Sequence, residues 1–249
     1  MSSSSLLLSR RDALAGLTGG IGLALLPRRA AAAPYSAIAL ASPGRIGGLV
    51  RYTGRVAPAA KLRLTGAVDY CRAFDLRSEE LLVSGAGGLR NVVVFLEGIG
   101  GGKPIPAESP VMAERRCTFV PHVLSMTAGS KLVLHNDDPV LNTFHAIEVA
   151  SARTLFNIGM PQKDQRVSRR IRSPGVVKML CDVHPWELGY VVAFSHPYHA
   201  VTDGAGAFTL EGVPAGRYTL CCWHEKLGTR RRPVEVRPGA QLKVELLYR

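Results

Sequence analysis

Two residues three positions apart, Cys181 and His184, carry the side chains best suited to chemistry in this 249-residue sequence. They follow an apolar run at residues 176–180 that has the pattern of a buried strand. A thiolate favours copper among the plausible first-row metals, and an imidazole suits copper or zinc. If Cys181 ends a strand and His184 begins a loop, both can reach one ion, and His145 from an earlier strand would complete a trigonal set.

The sequence therefore predicts one mononuclear copper site formed by His145, Cys181 and His184. The alternative is a buried free thiol beside two histidines that make ordinary polar contacts. Two further residues are candidate ligands. Glu187 is either an oxygen ligand or a solvated loop carboxylate. His122 is either a ligand or a hydrogen-bonded histidine at the rim of the site.

The elements that position these residues have the pattern of strands. Residues 44–54 combine alternation with glycines, residues 91–97 form a buried strand, and residues 234–246 alternate again. No segment beyond the N-terminus shows a sustained helical period. The sequence therefore predicts an all-β fold.

Residues 119–138 have the order strand, turn, strand and Asx-rich turn, and residues 142–148 begin another strand. Together with the run 180–184, this order resembles the plastocyanin-like cupredoxin pattern. The resemblance covers residues 91–195 and implies a Greek-key β-sandwich in which His145 is the first copper ligand and Cys181 and His184 follow. Blue-copper relatives carry Met a few residues after the second histidine. Glu187 stands in that neighbourhood here, and an oxygen ligand would move the site away from blue-copper character.

Residues 196–249 resemble the carboxypeptidase-regulatory-like, transthyretin-like module, through residues 202–220 and their turn at 214–216. This implies a second, smaller β-sandwich. We predict that residues 44–90 form an N-terminal β extension packed on the cupredoxin domain. The combination resembles exported bacterial proteins of the methylamine-utilisation or plastocyanin-like kind, which implies architecture more than activity.

The N-terminus has the composition of an export signal. Arg10 and Arg11 precede a mildly apolar run and a tract of alanines, so residues 1–36 resemble a cleaved twin-arginine signal; an ordinary signal or an uncleaved anchor is the alternative. No later stretch approaches the roughly 18 apolar residues of a membrane span. We expect a periplasmic or secreted protein. Among five cysteines, Cys71 and Cys117 lie outside the metal set, and an oxidising compartment favours their pairing.

The formal charge is +12, and without the four arginines and one aspartate of the signal the mature chain keeps about 12 − 4 + 1 = +9, which favours an acidic partner. Nucleic acid is not expected, because the basic residues are scattered and no recognition motif accompanies them. The leading hypothesis is one-electron transfer by copper, with His184 as a partly exposed edge through which the electron leaves. A copper carrier or sensor without redox turnover and a structural or carbohydrate-contact sandwich are the alternatives. An enzyme is not expected, since no hydrolase triad and no second copper cluster accompany the site.

Overall fold

Strand-forming alternation runs through most of the chain, and the computed structural model accordingly consists almost entirely of strands. The model describes residues 35–66 and 69–249, so the predicted signal segment 1–36 lies outside the described residues apart from its last two positions. In the described part the only helical element is a 3-10 turn, Cys71–Ala73. The prediction of an all-β fold is confirmed. No helix in these residues is long and apolar enough to cross a membrane.

The strands of the described residues are, in chain order, β1 (Ser36–Ala37), β2 (Gly44–Tyr52), β3 (Val93–Glu97), β4 (Gly101–Gly102), β5 (Val111–Glu114), β6 (Phe119–Val120), β7 (Val123–Thr127), β8 (Lys131–Asn136), β9 (Asn142–Glu148), β10 (Arg153–Met160), β11 (Arg166–Arg170), β12 (Gly175–Leu180), β13 (Leu188–Phe194), β14 (His199–Val201), β15 (Ala207–Val213), β16 (Gly216–His224), β17 (Gly228–Val236) and β18 (Gln241–Tyr248).

The first sandwich contains the predicted metal ligands. Its larger sheet has the order β10-β9-β12-β13-β7, and its smaller sheet has the order β11-β8-β5-β6. Alternate residues of each strand point inwards, and Met112, Leu134, Phe144, Met179 and Val191 meet in one fully buried core. Cys181 belongs to the same core, at the point where β12 ends.

The second sandwich is built from both ends of the described chain. One sheet has the order β14-β3-β16-β17 and the other β15-β2-β18. Strand β2 runs parallel to β18, pairing Arg45 with Gln241 and Tyr52 with Tyr248. The core of this sandwich includes Ile46, Val94 and Leu246.

This pairing groups the strands differently from the predicted boundaries. The segment 44–90 was expected to pack on the first domain, but β2 lies inside the second sandwich. Strand β3, which falls in the predicted cupredoxin segment 91–195, also pairs with β14 and β16 of the second sandwich. The second sandwich is therefore larger than the predicted module 196–249. Parallel pairing across almost 200 residues leaves no local signature in a sequence.

A separate apolar cluster joins the two sandwiches. Val93 from the second sandwich packs with Val123, Val192 and Phe194 from the first, all of them buried. The ring of Trp223 meets that of Tyr190 edge to face, with centroids 5.5 Å apart. The first sandwich, which contains the site, is therefore held against the second by buried side chains.

Candidate metal centre

Cys181, His184 and Glu187 converge at one end of the first sandwich. All three come from the loop between β12 and β13, and their ligand atoms lie within 4.8 Å of one another. Nδ1 of His184 is 3.6 Å from Sγ of Cys181 and 3.0 Å from Oε1 of Glu187. The Glu187 amide donates to the His184 carbonyl at 2.9 Å, and this turn places the side chain of Glu187 beside that of His184. A sulfur, a nitrogen and an oxygen thus face one point.

The surroundings of Cys181 favour its thiolate. The backbone amide of Thr143 donates to Sγ at 3.3 Å, and the Thr143 hydroxyl lies 3.6 Å away. Burial opposes ionisation, but the contact with His184 and the two Thr143 donors outweigh it, so the pKa of Cys181 is lowered. The thiolate is the form of cysteine that binds metals.

The histidine and the glutamate respond to the same contacts. Burial lowers the pKa of His184, but hydrogen bonding to Cys181 and Glu187 overcomes this and raises it to about 9. Burial raises the pKa of Glu187, and the favourable contact with His184 offsets only part of the effect. Burial therefore disfavours the charged form of each of the three side chains, Cys181, His184 and Glu187.

Glu114, on β5, is a fourth group at this site, and the sequence analysis missed it. Its side chain is fully buried, and neither carboxyl oxygen has a hydrogen-bond partner. Burial first, and then the nearby Glu187 and Cys181, raise the pKa of Glu114 to about 12. The one signal in the sequence is that the otherwise apolar strand Val111–Glu114 ends in a glutamate, a residue whose side chain is rarely found in a core.

The donor set fits a metal cation. Both carboxyl oxygens of Glu114 and the amide oxygen of Asn142 are buried without hydrogen-bond partners. The groups that perturb Glu114 are Glu187 and Cys181, and neither is a cation. Buried carboxylates are normally paired or bound to a metal. Copper or zinc, which accept thiolate, imidazole and carboxylate together, would supply the missing partner.

His145 lies outside this group, so its predicted role as a ligand stays a prediction. On β9 the side chains of Phe144 and Ala146 point into the core, so His145 points to the outer face of the sheet. Its Nδ1 is 2.8 Å from Asp182 Oδ1, and its Nε2 is 3.0 Å from Thr154 Oγ1. The structure therefore brings Cys181 and His184 together but not His145.

The first inward position of β9 belongs to Asn142, which is fully buried. Its amide nitrogen donates to Asn136 Oδ1 at 2.9 Å. The amide of Asn136 in turn donates to the carbonyls of Val140 and Met160, at 2.9 and 2.8 Å. These bonds hold the start of β9, and with it Thr143, in place beside Cys181.

His122 also lies outside the group. It is buried where the two sandwiches meet; its Nε2 contacts the carboxylate of Glu225, and its Nδ1 is 3.9 Å from Glu79. Burial lowers the pKa of His122, but the hydrogen bond to Glu225 outweighs it and the net shift is upward. The structure thus gives His122 partners other than Cys181, His184 and Glu187.

A segment that we call the strap, residues 61–66 and 69–78, covers the outer edge of the site. Its base is closed by the Leu62 amide, which donates to the Leu76 carbonyl at 2.9 Å. Cys71 forms a disulfide with Cys117, and Cys71 Sγ lies 3.8 Å from His184 Nε2. His184 is consequently only 4% exposed, so the partly exposed edge expected from the sequence is covered.

A cavity of about 190 Å³ separates part of the strap from the ligand loop. It is lined by Leu62, Arg77, Glu79, His122, Trp186 and Glu187, among others. Trp186 closes one side, and its indole nitrogen donates to the Cys117 carbonyl at 3.2 Å. The cavity brings open space to the carboxylate side of the site.

A second group with metal-binding side chains occurs in the described part of the chain: His135, Asp137 and Asp164. The Asp137 carboxylate already contacts the guanidinium of Arg115, and Asp164 is largely exposed. It contains no thiol, and its carboxylates have solvent or Arg115 as partners. The buried group around Cys181 is therefore the stronger candidate.

Comparison with known proteins finds similarity only among solved structures. No family model and no curated protein matches the chain. A purple cupredoxin from Nitrosopumilus maritimus is 23% identical over 34% of this chain and 100% of its own, with a TM-score of 0.32. Amicyanin from Paracoccus versutus is 18% identical over 36% of this chain and 85% of its own, with a TM-score of 0.32. A copper-containing nitrite reductase from Thermus scotoductus is 18% identical over 38% of this chain and 24% of its own, with a TM-score of 0.30. These likenesses are partial, and they leave the ligands of this chain to be judged from its own geometry.

Proposed function

We propose that this chain is an exported copper-binding protein that holds one copper ion at Cys181, His184 and Glu187 and transfers single electrons. The convergence of Sγ, Nδ1 and a carboxylate oxygen within 4.8 Å, in a buried loop, is the observation that carries the proposal. Bound copper would supply the one-electron couple.

The residues of the chain would bind the ion and limit its movement. Thr143 fixes Cys181 through two donors, and Glu187 and Cys181 fix the ring of His184 from one side. The strap covers the other side of the ring and excludes water. Ligands whose side chains are fixed by packing and hydrogen bonds move little, which keeps the energy of reorganisation low when an ion changes its charge.

Export and the nature of the partner are further parts of the proposal. The paired arginines Arg10 and Arg11 support export, and the charge of about 12 − 4 + 1 = +9 that the chain keeps without its signal supports an acidic redox partner. We propose an electron carrier rather than an enzyme, since the three ligand side chains are buried and would bind the ion. The likeness of the second sandwich to a carboxypeptidase-regulatory module stays a prediction.

A copper carrier without redox turnover is the second candidate. It is favoured by two observations: the group contains a single imidazole, and the edge of that imidazole is covered by the Cys71–Cys117 disulfide. Electron exit through an exposed histidine edge is then unavailable in this structure. A buried carboxylate in place of a second imidazole also favours one oxidation state of copper over the other, which would hinder cycling between the two.

Optical spectra and voltammetry of the copper-loaded chain test the proposal. We expect one copper per chain and a visible thiolate band that disappears on reduction and returns on oxidation. Cys181→Ser should abolish the band, and Cys221→Ser, which removes another buried thiol, should keep it. A band that survives in Cys181→Ser would contradict the ligand assignment. Stoichiometric binding without a reversible potential would favour the carrier.

A further inference from the structure

Glu114 is buried in a way that burial alone does not explain. It ends β5, inside the first sandwich, with no measurable exposure and no hydrogen-bond partner for either oxygen. Its backbone carbonyl accepts a hydrogen bond from the Asp137 amide at 2.9 Å, so the end of the strand is firmly placed. Carboxylates are almost never fully buried unless they are paired.

The neighbours of Glu114 can pair with it only while its carboxyl keeps a proton. Its carboxyl lies close to Glu187 and Cys181, both of them acids, so a hydrogen bond to either one needs the protonated form. The adjacent Arg115 points away, because its guanidinium contacts Asp137 at the surface and its side chain is 55% exposed. Two carboxyls and a thiol therefore share a buried space, and the basic group that contacts them among the described residues is the imidazole of His184. Bringing such charges out of water costs several kcal/mol for each ion unless a countercharge is present.

We propose that Glu114 is a fourth ligand of the metal centre, which thereby presents one thiolate, one imidazole and two carboxylates to the ion. This inference rests on the proposed copper site and adds a residue and a preference to it. Glu114 stands outside the trio whose atoms lie within 4.8 Å of one another, but it is close to two of the three members.

The donor set selects the divalent ion. Thiolate is the soft ligand that suits Cu(I), whereas carboxylate oxygens are hard ligands that suit more highly charged ions. Two carboxylates in one buried centre add negative charge, which favours Cu(II) over Cu(I). The centre would therefore hold copper more tightly after oxidation than after reduction.

Affinities measured separately for the two oxidation states test the assignment. The full mature chain is titrated with Cu(II), and then anaerobically with Cu(I), in competition with chelators of known affinity. Glu114→Gln keeps the shape of the side chain and removes its charge. We expect this variant to bind Cu(II) at least tenfold more weakly and Cu(I) within threefold of the original, which raises the reduction potential by about 59 mV for each factor of ten.

Glu225→Gln is the matched control, since Glu225 is a buried glutamate whose side chain is 4% exposed and which contacts His122 instead of the centre. It should leave both affinities unchanged. X-ray absorption of the Cu(II)-loaded original chain gives a readout that needs no variant. We expect a first coordination sphere of one sulfur and three nitrogen or oxygen atoms.

Three results would overturn the proposal, and they are distinguishable. An unchanged Cu(II) affinity in Glu114→Gln, or an equal loss for both oxidation states, removes Glu114 as a ligand while the site of three residues stands. One sulfur with only two nitrogen or oxygen neighbours in the absorption data does the same. Failure of the original chain to bind copper overturns this inference and the proposed function together.

Discussion

Raising the pH should destabilise the metal-free protein through Glu114. Folding raises the pKa of this carboxyl from an ordinary value of 4.5 to about 12, with burial as the main cause. The native state therefore holds the proton more tightly than the unfolded state. This proton contributes its full stability below the unfolded pKa and loses it as the pH rises towards the folded one.

The size of the effect follows from the unfolded pKa alone, as long as the folded value stays above the range studied. Each pH unit well above 4.5 removes about 1.4 kcal/mol from the free energy of unfolding. Between pH 5 and pH 8 the loss due to Glu114 is about 4 kcal/mol. This is a large part of the 5–15 kcal/mol that stabilises an average domain, so the effect is measurable.

Urea unfolding at pH 5, 6, 7 and 8, with a chelator present, measures this loss. Glu114→Gln removes the titrating group, and its buried amide adds an offset that does not vary with pH. Groups that do not contact Glu114 cancel in the difference, whereas a change in the pKa of Glu187 or Cys181 caused by the substitution remains in it. We expect the original chain to lose stability relative to Glu114→Gln as the pH rises, by up to about 4 kcal/mol across the range.

Parallel pH profiles for the two proteins would refute the reasoning. They would mean that Glu114 is ionised in the metal-free native state, or reaches water. Addition of Cu(II) at pH 8 should restore stability to the original chain, because a ligand that binds only the native state stabilises it by mass action.

Three further predictions concern other parts of the molecule. His145→Ala should leave copper affinity within twofold of the original in a competition titration, since His145 faces away from the centre; a loss of tenfold or more would restore it as a ligand. Gly48→Ala should lower the free energy of unfolding by about 1–3 kcal/mol, because a Cβ there would lie 1.8 Å from the Val244 carbonyl oxygen of β18. Gly47→Ala is the control and should cost far less, since the nearest atoms to its Cβ would lie at 3.7 Å. Equal effects would argue against the parallel pairing of β2 with β18. Glu225→Ala should lower the free energy of unfolding by about 1–3 kcal/mol, because buried His122 would lose the carboxylate that it contacts. The copper spectrum should stay unchanged. An unchanged unfolding curve or an altered spectrum would contradict this prediction.

The sequence predicted the local parts of the site well. Cys181, His184 and Glu187 lie at i, i+3 and i+6 in one loop, and a short loop after a strand brings such residues together whatever the rest of the fold does. The direction of His145 was also readable in principle, because Phe144 and Ala146 on either side are apolar and must point inwards. The alternation therefore directs His145 away from Cys181, and its role as a ligand stays a prediction.

The distant parts of the site and the fold had no such signal. Glu114 lies 67 positions before Cys181 in the chain, and a lone glutamate at the end of a strand has the same appearance whether it points in or out. The pairing of β2 with β18 depends on tertiary packing that alternation does not encode. The Cys71–Cys117 pair, by contrast, followed from compartment and elimination, and the structure contains this disulfide.

The position of that disulfide makes the metal content of the protein depend on when the disulfide forms. Because Cys71 lies against the ring of His184, an ion that leaves past this ring requires the strap to lift or the ligand loop to rearrange. Thiols pair outside the cytoplasm and stay reduced within it. Formation of the disulfide would then slow exchange of the metal, so the occupant would depend on where and when the chain folded as well as on the relative affinities of the metals it meets later. Metal content after folding in each compartment, followed by exchange rates with and without reductant, would reveal that dependence, and equally fast exchange in both conditions would exclude it.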